Sequence, residues 1–173
     1  MGQFSYAAVI GDIKASRHLE NRREVQKDLQ RVLGQVNGKY AEDITSKFLI
    51  TLGDEFQGLL CSGKNILNMI NEIKMEMYPV RIRFGVGFGT ITTDIWTEMA
   101  LGADGPGYYR AREAIETLKE QEKKKRPIPA DICIRMDGSD QKKELLMNTI
   151  FDLMYAVENG WTDRQRKIIW NML

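Results

Sequence analysis

Within residues 80–89, Val80, Ile82, Phe84, Val86 and Phe88 alternate with Arg81, Arg83, Gly85, Gly87 and Gly89. A period of two is the pattern of a β-strand, so one face of this strand is apolar and the other is bare at three alternate positions. Bare positions leave room for a backbone or a ligand to come close. Pro79 stands at the start, where a missing N–H interrupts no ladder.

The rest of the chain alternates between strand and helix patterns. Residues 4–13 (FSYAAVIGDI) form an apolar run ending in Gly-Asp-Ile, which suits a central strand covered on both faces. Over residues 20–38, Val25, Leu29, Val32, Leu33 and Val36 recur at helical spacing, and Asn37-Gly38 supplies a stop signal. Residues 44–52 and 55–60 read as two strands joined at Gly53-Asp54, a pair that tolerates the backbone of a tight hairpin. Ile66, Met69, Ile70, Ile73 and Met77 mark a second helix. A third is expected from about Tyr108 to Lys125, stopped by Pro127 and Pro129, followed by a short strand over 131–135. Leu145, Leu146, Ile150, Leu153, Met154 and Val157 predict an amphipathic helix over 144–157, and Thr162 with Gln165 predicts a capping box for a last helix. The order strand, helix, strand, strand, helix, strand predicts an α+β, ferredoxin-like (βαββαβ) palm with extra C-terminal helices. The expected division is a palm over 1–137 and C-terminal helices over 138–173. Helices are expected on one face of the sheet, leaving the other free for a ligand.

Composition narrows the chemistry. The 173 residues are 43% hydrophobic and 28% charged, as in a globular chain with a real core. The net charge of +1 creates no overall field toward nucleic acid or membrane, and no apolar run approaches the roughly 18 residues of a membrane span. Cys61 and Cys133 are far apart without Cys-x-x-Cys spacing, which suggests a cytoplasmic, reducing setting. His18 is the only histidine, so triads and histidine-rich zinc sites have little to build on, and carboxylates are left to run any chemistry.

Asp12 closes the first strand and Asp54 occupies the hairpin tip, positions that a palm brings side by side. Oxygen ligands without histidine suit Mg²⁺ or Mn²⁺, and Glu55 is the candidate third ligand. Asp54 also suits a plain turn residue and Asp12 a strand-end cap. The segment after the strand, with Ile13, Lys14, Ser16 and Arg17, offers backbone N–H groups, a hydroxyl and two cations for phosphate. The alternative is that Lys14 and Arg17 are solvated charges and Ser16 a helix start. Residues 58–65 approximate a phosphate-binding loop, but Asn65 stands where Ser or Thr is required, and Leu59, Leu60 and Cys61 continue the strand.

Gly11-Asp12-Ile13 with Ser16-Arg17, and Thr51-Leu52-Gly53-Asp54-Glu55-Phe56-Gln57, resemble the two signatures of the SatD family of small bacterial proteins. The same segments more distantly resemble class III nucleotide cyclases, in which the first strand ends in a metal-binding Asp followed by Ile and the hairpin carries a second metal-binding Asp. Those positions are Asp12, Ile13 and Asp54 here. Residues 84–87 are similar to the cyclase strand before the substrate helix, and residues 108–112 to the start of that helix. The resemblance implies a catalytic role for Arg112, at the position of a transition-state arginine, while Tyr108 stands where cyclases place an asparagine that binds nucleotide. It further implies a small phosphate-bearing ligand such as a nucleotide, a divalent cation, and a homodimer. It leaves open whether the domain senses its ligand or turns it over.

Trp161-Thr162-Asp163-Arg164-Gln165-Arg166, followed by Ile168, Ile169 and Leu173, resembles the first helix of a helix-turn-helix. That motif needs a recognition helix, so DNA contact is expected only through a fuller C-terminal region. The alternative reading is therefore a fragment of a transcription regulator whose palm is a scaffold or dimerisation unit.

Overall fold

The computed structural model describes residues 5–16, 19–124 and 130–172. Arg17 and the proline stops at 127 and 129 lie outside the described residues. The elements are β1 (Tyr6–Ile13), α1 (Arg22–Lys39), β2 (Ile44–Leu52), β3 (Glu55–Leu60), α2 (Ile66–Met77), β4 (Ile82–Gly89), α3 (Pro106–Lys123), β5 (Ile132–Arg135), α4 (Gln141–Asn159) and α5 (Asp163–Trp170). The five strands form one mixed sheet in the order β2-β3-β1-β4-β5, with only the β4–β5 pair parallel. β1 is thus the central strand, and the first six elements have the βαββαβ arrangement expected from the sequence.

Alternation along the strands assigns the two faces. Ala7, Val9 and Ile13 of β1 face α1 and α2, whose Leu29, Val32, Val36, Met69, Ile70 and Ile73 complete the larger core with Phe56 and Phe84. Ala8 and Ile10 face the other way, toward Tyr108, Ala111 and Ile115 of α3. Most of the second face is therefore covered rather than free for a ligand. α3 lies on β4 and β1, while the loop after β4 covers the β2–β3 side: Ser46 Oγ donates to the Trp96 carbonyl, and the Gln57 side chain donates to the Ala100 carbonyl.

The bare positions of β4 explain how α3 fits. A Cβ at Gly87 would lie 2.1 Å from the Gly107 carbonyl and 2.3 Å from the Ala111 nitrogen, so the helix rests directly on the strand backbone. The room left by these glycines is filled by α3.

α1 ends at Lys39, one residue past the expected Asn37-Gly38 stop, and the Asn37 side chain reaches the neighbouring strand. Its amide donates to the Phe48 carbonyl at 2.9 Å and accepts from the Phe48 N–H at 2.8 Å, fixing α1 to the edge strand. α4 forms, but only Phe151 is fully buried on it, with Met147 and Met154 packed against the core. Asn148 clasps the backbone of Ile134 in β5, and this anchor turns the leucine stripe outward. Leu145, Leu146, Ile150, Leu153 and Val157 are between 39% and 70% exposed. The capping box of α5 is present, with Thr162 and Gln165 bonding reciprocally. Among the described residues no helix is long and apolar enough to cross a membrane.

Candidate functional site

The uncovered part of the second face lies at the C-terminal end of β1. There Asp12, Ile13, Ala15, Ser16, Asp54, Arg83 and Lys119 line an open cleft of about 250 Å³. The two carboxylates proposed from sequence thus border one space. The hairpin is tied to β1 by the Ile13 N–H, which donates to the Asp54 carbonyl at 2.9 Å. Ala15 adopts φ 53°, a left-handed conformation costly for a residue with a Cβ. The turn at Ala15 precedes Ser16, whose hydroxyl donates to Asp54 Oδ2 at 2.5 Å.

Asp12 is buried and held by cations. Arg83 Nη1 donates to Asp12 Oδ2 at 2.5 Å, and Lys119 Nζ lies 3.6 Å from Oδ1. Arg83 also donates to Glu122, and Lys14 Nζ meets Glu122 Oε1 at 2.6 Å. Burial alone would raise the Glu122 carboxyl pKa, but hydrogen bonds from Arg83 and Lys14 outweigh it and hold the group below its ordinary value. Asp12 and Glu122 are thereby paired with Lys14, Arg83 and Lys119, and Lys119 also meets Glu116 at 3.5 Å.

The remaining sequence candidates are placed elsewhere. Glu55 shares the strand register of Asp12, but its carboxylate pairs with Arg112 of α3 at 3.6 Å. Arg112 is held at that pair and does not line the cleft. The Tyr108 side chain is buried in the smaller core, its hydroxyl lacks a hydrogen-bond partner, and burial pushes the phenol far above its usual pKa. Among the described residues, no group of three or more His, Cys, Asp or Glu side chains could hold a metal ion. Any cation in the cleft would have Asp12 and Asp54 as its carboxylate ligands, a number that suits Mg²⁺, which completes its shell with water and phosphate oxygens.

Arg83, Lys119 and Glu122 were missed in the sequence. Arg83 carried a signal: it shares the glycine face of β4, and the antiparallel register sets it opposite Asp12. Lys119 and Glu122, spaced i and i+3, looked like ordinary solvated helix charges.

The central sheet, the hairpin and the covering α3 define a nucleotide-cyclase-like palm fold. A bacterial light-regulated adenylyl cyclase is similar at 14% identity, with 78% of this chain and 77% of that one covered and a TM-score of 0.50. The guanylyl cyclase domain of the RhoGC fusion protein from the aquatic fungus Blastocladiella emersonii matches at 16% identity, covering 65% of this chain and 74% of that one, with a TM-score of 0.49. The guanylate cyclase domain of RhGC from Catenaria anguillulae, in complex with GTP, matches at 16% identity over 65% and 73%, with a TM-score of 0.45. The SatD family model matches residues 6–173, and the chain belongs to the SatD family. No curated protein matches it in sequence.

Proposed function

We propose that this chain binds a nucleotide or related phosphate compound together with Mg²⁺ or Mn²⁺ in the cleft of Asp12 and Asp54, in a regulatory rather than catalytic role. The observation that carries the reading is that the carboxylates of Asp12, on β1, and Asp54, in the β2–β3 turn, share one open cleft with Arg83, Lys119 and Ser16. Asp12 and Asp54 would hold the cation, which would neutralise and orient phosphate oxygens. Lys14 and Arg17, beside the cleft in sequence, and the Ile13 backbone would serve the phosphates. Electrostatics makes the two ligands interdependent: a dication alone is set beside Arg83 and Lys119, and a polyphosphate offsets that accumulated positive charge. A sensing role is favoured by Arg112, engaged with Glu55, and by Tyr108, buried in the core. Both thiols, Cys61 and Cys133, are free, as suits a cytoplasmic setting.

Thermal-shift titration with a nucleoside triphosphate, with and without Mg²⁺ or Mn²⁺, tests this reading. Stabilisation is expected only with both, and is lost in Asp12→Asn and in Asp54→Asn. Absence of any shift at millimolar ligand, or an equal shift in both variants, overturns it.

A second reading is favoured by the outward leucine stripe of α4. Here residues 138–173 extend the palm as an association surface, in a homodimer or in a longer transcription regulator that contacts DNA through further C-terminal helices. Light scattering of the wild-type chain beside Leu146→Asp/Leu153→Asp tests it, with a monomeric wild type as the contrary result.

A further inference from the structure

A second cavity, of about 200 Å³, lies where α4 and α5 meet the starts of β4 and β5. Its wall is aromatic and cationic. The Arg166 guanidinium sits 5.1 Å from the Tyr78 ring, 5.6 Å from Trp161 and 5.2 Å from Trp170, and Tyr78 and Trp170 pack edge to face at 5.4 Å. The Arg166 Nε is buried without a hydrogen-bond partner, so an acceptor at this place would satisfy it.

Polar groups lie along the same wall. Lys74 Nζ is held by Asp131 at 2.8 Å and Glu158 at 2.6 Å, and all three border the cavity. A hydrocarbon ring would desolvate these groups without replacing their water, whereas a ring bearing its own donors and acceptors replaces those bonds. The volume lies below the roughly 300 Å³ at which whole-ligand pockets begin, which selects one ring system and excludes a complete nucleotide. Lys14 borders this cavity, while Ile13 and Ala15 on either side of it line the carboxylate cleft. The two spaces thus lie on either side of Lys14, whose ion pair with Glu122 stands between them.

We propose that the cavity between α4–α5 and the sheet receives the heteroaromatic base of a nucleotide whose phosphates lie in the Asp12–Asp54 cleft. This rests on the nucleotide reading of that cleft, and assigns base recognition to Tyr78, Trp161, Arg166 and Trp170. The C-terminal helices then form part of the ligand site, beyond any role in association.

Calorimetry on the wild-type chain with Mg²⁺ compares inorganic tripolyphosphate with adenosine and guanosine triphosphates, and tryptophan fluorescence follows the two free nucleosides. At least one nucleoside triphosphate is expected to bind about tenfold or more tighter than tripolyphosphate, and its nucleoside to change the emission. Trp170→Leu and the milder Arg166→Lys should each lower triphosphate affinity toward that of tripolyphosphate while leaving tripolyphosphate itself unchanged. Equal wild-type affinities for tripolyphosphate and both nucleotides, with no nucleoside response, overturn the base site and leave the cleft reading standing. Nucleoside binding without tripolyphosphate binding keeps the cavity as a ring site and sinks the cleft. This wild-type comparison holds even if a variant fails to fold.

Discussion

Asp12 and Arg83 stand directly opposite each other on β1 and β4, and the guanidinium Nη1 donates to Asp12 Oδ2 at 2.5 Å. Their side chains are only 10% and 12% exposed, so each charge depends on the other for compensation. Arg83 also reaches Glu122, which makes one arginine the junction between β1, β4 and α3.

Arg83→Met leaves two carboxylates short of their main cation and is expected to destabilise the chain by about 3 kcal/mol. Adding Asp12→Leu should recover part of that loss, because the buried charge goes with it. Urea unfolding of the two singles and the double measures the coupling, and strictly additive effects would contradict it.

Glu122 gives a pH dependence of definite sign. Its folded pKa is held below the ordinary value of 4.5, so its contribution is complete above 4.5 and is lost as the pH falls through that value toward the lower folded one. Urea midpoints from about pH 6 down to about pH 3 should fall less steeply for Glu122→Gln than for the wild type. Parallel curves would show that the carboxylate adds nothing.

Two glycine substitutions should move stability in opposite directions. Gly87→Ala forces a Cβ into the backbone of Gly107 and Ala111, where no flexible side chain can yield, and a loss of about 3 kcal/mol or a failure to fold is expected. Gly34→Ala, inside α1 with nothing within 4 Å, should stabilise by about 0.5–1 kcal/mol. Melting temperatures decide both.

Phe151→Ala removes the one fully buried side chain of α4 and should cost about 3–5 kcal/mol. Leu153→Gln, two positions on and facing water, should stay within about 0.5 kcal/mol. Similar losses for both would mean that the leucine stripe is buried in solution.

The hairpin is legible because local chemistry decides it: two strand-like runs give β2 and β3, and Gly53-Asp54 gives the turn that carries Asp54. The bare face of β4 was legible as a close approach, but not as the seat of α3, since period two says nothing about which element arrives. In α4 the helical stripe points away from the core. Its leucines form the better helical stripe, yet Asn148, a polar residue bonded to the β5 backbone, decides the orientation. Tertiary hydrogen bonds of this kind leave no periodic trace, and neither does the meeting of Lys119 and Glu122 with β1 and β4.

At Gly85, Gly87 and Gly89, β4 puts no side chain of its own between its main chain and α3. A helix seated on bare main chain cannot roll or slide without collision, because the atoms below it belong to the sheet itself. Lys119 and Glu122, near the far end of that helix, are consequently carried at a fixed height above Asp12. Any give in this jaw is confined to long lysine and arginine arms, so guests of different bulk would be met by swinging side chains and not by a moving frame.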